Sequence, residues 1–174
     1  PDNTSVYLSE QTFDHLKTTI GLPISDELLD PRATRVENLD RMVKDVMEET
    51  DSLQKSLDQM HRLIKKQDPP IQRVLESGVL PKLVEFLQRD DEYDLQLAVT
   101  RILNSIMTEE INHAGEVVEL GAISPLVHLL DSSHIEISQS TARALGNIIQ
   151  CNQKHRDLVL QSRVMQPLLK LLED

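Results

Sequence analysis

From Val36 to Lys66 the apolar residues fall at Leu39, Met42, Val46, Leu53, Leu57, Met60 and Ile64. Steps of three, four and seven put them on one stripe of a helix whose other faces are polar. The pattern predicts a long amphipathic stretch that buries this stripe against whatever follows. Glu49 and Thr50 interrupt the seam where a heptad needs an apolar residue, which disfavours a free dimeric coiled coil. Pro69-Pro70 ends the stretch, because the residue before a proline is pushed out of helical backbone. Upstream, Ser9 can cap a short helix carrying Phe13, Leu16 and Ile20, which Gly21 and Pro23 stop. Ser25 can cap another turn with Leu28 and Leu29, and Asp30-Pro31 opens the long stretch. Residues 1–35 therefore read as an amino-terminal extension, partly disordered with short helices, and 36–174 as the main domain.

Beyond Pro70 the pattern repeats itself. Leu-Gly-Ala-Ile-Ser-Pro-Leu-Val-His-Leu-Leu at 120–130 echoes Ser-Gly-Val-Leu-Pro-Lys-Leu-Val-Glu-Phe-Leu at 77–87, and returns as Ser-Arg-Val-Met-Gln-Pro-Leu-Leu-Lys-Leu-Leu at 162–172. Leu83, Leu126 and Leu168 correspond, as do Val84, Val127 and Leu169, then Leu87, Leu130 and Leu172. Between the copies, Leu95, Leu103 and Ile106 reappear as Ile137, Leu145 and Ile148, each 42 positions on. A period of roughly 40–47 residues without strand patterning is the spacing of armadillo and HEAT units. The expectation is an all-α, right-handed superhelical solenoid of about three units. Leu103, Leu126, Val127, Leu130, Leu145 and Ile148 should be buried between them. Gly78 and Gly121 mark a tight turn that needs positive φ or close approach. Arg163 replaces glycine in the third copy, which predicts a looser turn there.

Composition narrows the choice of partner. Aromatic residues are only 2% of the chain and Trp is absent, so the core must be aliphatic, which suits helix packing. A net charge of −11 argues against nucleic acid, which needs a positive footprint. No run is apolar enough to span a membrane. The single cysteine, Cys151, excludes an intramolecular disulfide. The six histidines, the scattered glycines and Cys151 form no zinc spacing, phosphate loop or nucleophile–base pair. No cofactor, metal or catalysis is expected. The usual work of a solenoid is to hold other polypeptides on its extended face.

Residues 52–174 resemble the importin-α (karyopherin-α) family of armadillo proteins. Pro69-Pro70-Ile71 leading into Gly78-Val79-Leu80-Pro81-Lys82-Leu83-Val84-Glu85-Phe86-Leu87 is similar to that family's first repeat. Ala144-Leu145-Gly146-Asn147-Ile148 and Arg156-Asp157-Leu158-Val159-Leu160 are similar to two later segments. The resemblance implies an adaptor, shuttling between cytoplasm and nucleus, that holds a nuclear localisation signal extended in a concave groove. In that family tryptophans stack along lysine stems, an asparagine four positions later bonds the peptide backbone, and an aspartate holds the key lysine. The stacking positions fall here on Arg101 and Arg143, the asparagine positions on Ser105 and Asn147, and the aspartate position on Cys151. Two guanidinium groups in place of indoles repel a lysine-rich peptide, so classical signal binding is expected to be impaired. Residues 1–31 hold one basic residue, Lys17, against six acidic ones, unlike the family's arginine-rich segment that engages importin-β.

The competing expectation is a scaffold that kept the solenoid and assembles with another protein or itself. Met165, Leu168, Leu169, Leu171 and Leu172 make an apolar last helix. Its open side is expected to be covered by a second copy in a two-fold dimer, by a partner, or by further repeats. Residues 9–29 folding onto a neighbour are another route.

Overall fold

The computed structural model describes residues 38–66, 69–109 and 113–173, and the regular elements among them are all helices. The short helices expected around Phe13 to Ile20 and at Leu28 and Leu29 lie outside the described residues. In order the chain forms α1 (Leu39–Glu48), α2 (Leu53–Ile64), α3 (Ile71–Glu76), α4 (Leu80–Phe86) and α5 (Tyr93–Glu109). It continues with α6 (His113–Glu119), α7 (Ile123–Leu129), α8 (Ile135–Cys151), α9 (Gln153–Gln161) and α10 (Met165–Glu173). From α2 onward the helices come in threes, a longer one followed by two shorter ones.

Within the stretch expected as one helix from Val36 to Lys66, the described residues form a helical hairpin of α1 and α2, and this corrects the sequence expectation. Glu49 adopts a left-handed backbone, φ 51°, and ends α1 with its N–H bonded to the Asp45 carbonyl. Asp45 also accepts from Thr50 Oγ1 at 3.0 Å and Ser56 Oγ at 2.6 Å, tying the turn to the start of α2. The apolar stripe survives the reversal. Leu39, Met42 and Val46 pack with Leu57, Met60 and Ile64, all buried in the core, because a step of seven spans two helical turns or a chain reversal equally well.

The turn is pinned from outside. Arg89 places both terminal nitrogens on the Glu49 carboxylate at 2.7 Å, and Lys82 Nζ adds a third contact at 2.7 Å. Hydrogen bonds from Arg89 and then Lys82 hold the Glu49 carboxyl down to about 2. The Arg89 guanidinium lies 4.6 Å from the centre of the buried Phe86 ring, so cation, carboxylate and ring brace one another.

The long helices lie side by side: α2 packs on α5 and α5 on α8, while α1, α4, α6, α7 and α9 pack against this row. Leu95, Leu103 and Ile106 are buried, as are their counterparts Ile137, Leu145 and Ile148. Each such side chain contributes about 1.5–3 kcal/mol through removal from water. Five of the six positions expected to be buried between units are buried; Val127 is half-buried. Its counterparts differ with unit, Val84 being 3% and Leu169 55% exposed.

Gly78 and Gly121 take φ of +74° and +80°. A Cβ added at either would meet nothing within 4 Å, so the backbone dihedral and not space demands glycine. Arg163 adopts the same conformation at φ 61°, so the third turn is strained and not looser as expected. Left-handed backbone costs a non-glycine residue about 1–2 kcal/mol, and glycine restores about 0.5–1 kcal/mol of unfolded-state entropy. Arg163→Gly is therefore expected to stabilise the chain by roughly 0.5–1 kcal/mol, read as a small rise in thermal midpoint. A midpoint that falls would contradict this account of the turn.

Candidate functional site

Because the long helices recur every 40 to 42 residues, equivalent positions line up across them. His61, Arg101 and Arg143 form one row, and Lys65, Ser105 and Asn147 the next. The helices leave a groove of about 540 Å³ between them. His61, Ile64 and Lys65 line it from α2 and its end, Arg101, Asn104, Ser105 and Thr108 from α5, and Glu136, Gln139, Ser140 and Arg143 from α8.

Its floor is a polar ladder. The buried Asn104 donates from Nδ2 to the Ser140 carbonyl at 2.8 Å and to Ser140 Oγ at 3.0 Å, which fixes α5 against α8. Asn147 Nδ2 donates to Asn104 Oδ1 at 3.4 Å and to Thr108 Oγ1 at 3.5 Å. Ser105 Oγ donates to the Arg101 carbonyl of its own helix at 3.1 Å, which leaves its oxygen able to accept from a ligand.

Charge is divided across the groove. Arg101 reaches Glu136 at 3.3 Å, and Glu136 also accepts from the Tyr93 hydroxyl at 3.2 Å. Burial, then the Glu136 charge, pushes the Tyr93 hydroxyl above its ordinary pKa, so it remains a donor at neutral pH. Lys65 and Arg143 are exposed, and among the described residues neither makes an ion pair. A neighbouring hollow of about 460 Å³, sharing His61 and Arg101 with the groove, carries Asp58, Asp94 and Arg62, with Gln54 bonded to Asp58 and to the Asp94 carbonyl.

Of the five residues singled out by sequence, Arg101, Ser105 and Arg143 line the groove, and Asn147 joins it through Asn104 and Thr108. Cys151 does not line it. It is the last residue of α8, and the extended backbone of Asn152 turns the chain at once into α9, where the Asn152 side chain caps the His155 N–H at 2.9 Å. The His155 ring faces the Asn152 amide at 3.2 Å. Sequence reasoning missed Lys65, Asn104 and Glu136. The period could have found Lys65, 40 positions before Ser105. Glu136 and Asn104 act across units and leave no local signal. Among the described residues no cluster of His, Cys, Asp and Glu could hold a metal ion, and no helix is long and apolar enough to cross a membrane.

Comparison with known proteins agrees with this architecture. The family model for the Armadillo/beta-catenin-like repeat matches residues 112–149. Importin subunit alpha-6 of Arabidopsis thaliana is 36% identical over 141 residues, 80% of this chain and 26% of that protein. Importin subunit alpha-1b of Oryza sativa subsp. japonica is 34% identical over 142 residues, 80% of this chain and 27% of that protein. The chain thus spans about a quarter of the length of these relatives. Among solved structures, a computationally designed armadillo repeat protein for modular peptide recognition is 27% identical with a TM-score of 0.71, covering 78% of this chain and 57% of its own. A designed armadillo repeat protein in complex with the peptide (KR)4 superposes with the same TM-score at 24% identity, covering 79% and 58%.

Proposed function

The chain is an importin-α-like armadillo-repeat protein, and from that premise we propose that its groove along α2, α5 and α8 holds an extended polypeptide, as an adaptor does, but has lost the preference for lysine-rich localisation signals. The observation that carries this reading is the pair of guanidinium groups, Arg101 and Arg143, at positions where the family resemblance implies indoles. An indole face attracts an ammonium group and packs its stem, whereas a guanidinium repels it. Asn147, the one polar position that matches, already gives its amide to Asn104 and Thr108. An adaptor of this kind works in cytoplasm and nucleus and needs neither cofactor nor catalytic residues.

Titration of the chain with a fluorescent lysine-rich peptide is the direct test. The expected result is binding weaker than micromolar; submicromolar affinity would sink the reading. A second reading, a scaffold that assembles with another protein or with a second copy through α10, is favoured by one observation: Met165 and Leu169 are 52% and 55% exposed on that helix. Failure to bind a peptide of any charge would favour it.

A further inference from the structure

We infer that the groove takes an extended acidic peptide, anchored by Lys65 and Arg143. The inference rests on the groove being a polypeptide site and adds the chemistry of its occupant. In a chain with 29 acidic and 18 basic residues, cations have carboxylates in easy supply. Lys82 and Arg89 each take up two or more of them. Lys65 and Arg143 nevertheless sit in one hollow with no ion pair among the described residues, and Arg101 between them is only partly offset by Glu136.

Range decides whether the overall charge of −11 forbids an anion here. At physiological salt, fields fade over about 8 Å, so a bound peptide feels the groove lining and not the far surface. That lining has three cationic side chains, Lys65, Arg101 and Arg143, against Glu136 alone. The carboxylates Asp58 and Asp94 lie in the neighbouring hollow and would turn an acidic peptide toward the carboxyl-terminal half of α2. No Phe, Tyr or Trp lines the groove to stack a base, which favours a peptide over a single-stranded nucleic acid.

Spacing defines the peptide further. Neighbouring packed helices lie about 8–10 Å apart, so the two steps from α2 to α8 span roughly 16–20 Å. An extended chain advances about 3.3 Å per residue, which puts the two carboxylates that meet Lys65 and Arg143 about five to six residues apart. Ser105 lies between them with an oxygen able to accept from the peptide backbone.

Fluorescence anisotropy on the full chain tests this with a labelled peptide carrying Glu pairs at that spacing, its Lys-substituted counterpart, and a single-stranded oligonucleotide. The expected result is binding of the acidic peptide alone. Lys65→Glu with Arg143→Glu should weaken it by about tenfold or more without moving the thermal midpoint, and Lys65→Arg with Arg143→Lys should retain it. Equal binding by the charge-reversed chain, or tighter binding of the oligonucleotide, overturns the inference. If the acidic peptide is ignored while Arg101→Trp with Arg143→Trp gains the lysine-rich one, the acidic preference falls and the polypeptide groove stands. If no variant binds any peptide, both fall.

Discussion

Arg101→Trp combined with Arg143→Trp is expected to raise affinity for a lysine-rich peptide by roughly five- to a thousandfold, because each new cation–π contact adds about 0.5–2 kcal/mol. Two further effects push the same way. Removing the guanidinium groups abolishes like-charge contact with the ligand, and it releases Glu136 from Arg101 to face the groove as an uncompensated carboxylate. The cost to the fold is small, because the Arg101 side chain is 46% exposed and an exposed pair contributes only about 0–1 kcal/mol. Calorimetric titration of wild type and double variant against one peptide measures the gain directly. An unchanged affinity in a folded double variant would mean that these two positions do not face a bound peptide.

Leu103→Ala is expected to destabilise the chain by about 2–5 kcal/mol, the usual cost of a cavity at a fully enclosed leucine. Leu103 has no exposed surface and lies on α5, between its neighbours α2 and α8, where no free surface can collapse into the space. A domain stability of about 5–15 kcal/mol makes this a large fraction of the whole. Leu169→Ala supplies the control. Leu169 is 55% exposed on α10, and an exposed substitution usually shifts stability by less than about 0.5 kcal/mol. Urea denaturation followed by circular dichroism compares the two. Equal losses would contradict the unit-to-unit packing described here.

The repeat was legible because its signal is local and recurs: Leu95, Leu103 and Ile106 announce Ile137, Leu145 and Ile148, and the structure buries all six. The hairpin between α1 and α2 was not. The seven-residue step from Val46 to Leu53 fits a continuous helix as well as a reversal. Thr50 and Ser56 tie the reversal locally to Asp45, and Glu49 meets Arg89, 40 positions away, a pairing that no short window along the sequence can see. The groove divides in the same manner. Arg101, Ser105 and Arg143 follow from the period and the family resemblance. Cys151, the last residue of α8, is not among the residues lining the hollow, and Glu136 meets Arg101 across units, 35 positions apart. Arg163 was legible as an exception but not in its outcome, since the turn kept its shape and took the strain into an arginine backbone.

The order of packing also sets how the molecule responds to load. With α1 on α2, α2 on α5, α5 on α8 and α8 on α9, tension between the two ends is carried through a succession of joints in series. A sheet clamped across its width must break all its bonds together, whereas a stack of units divides the strain among its interfaces. Each joint can flex slightly without forfeiting its own core, and the small tilts add along the row. A row of helices built in this way behaves as a soft spring, whose curvature can follow the length of whatever lies along it.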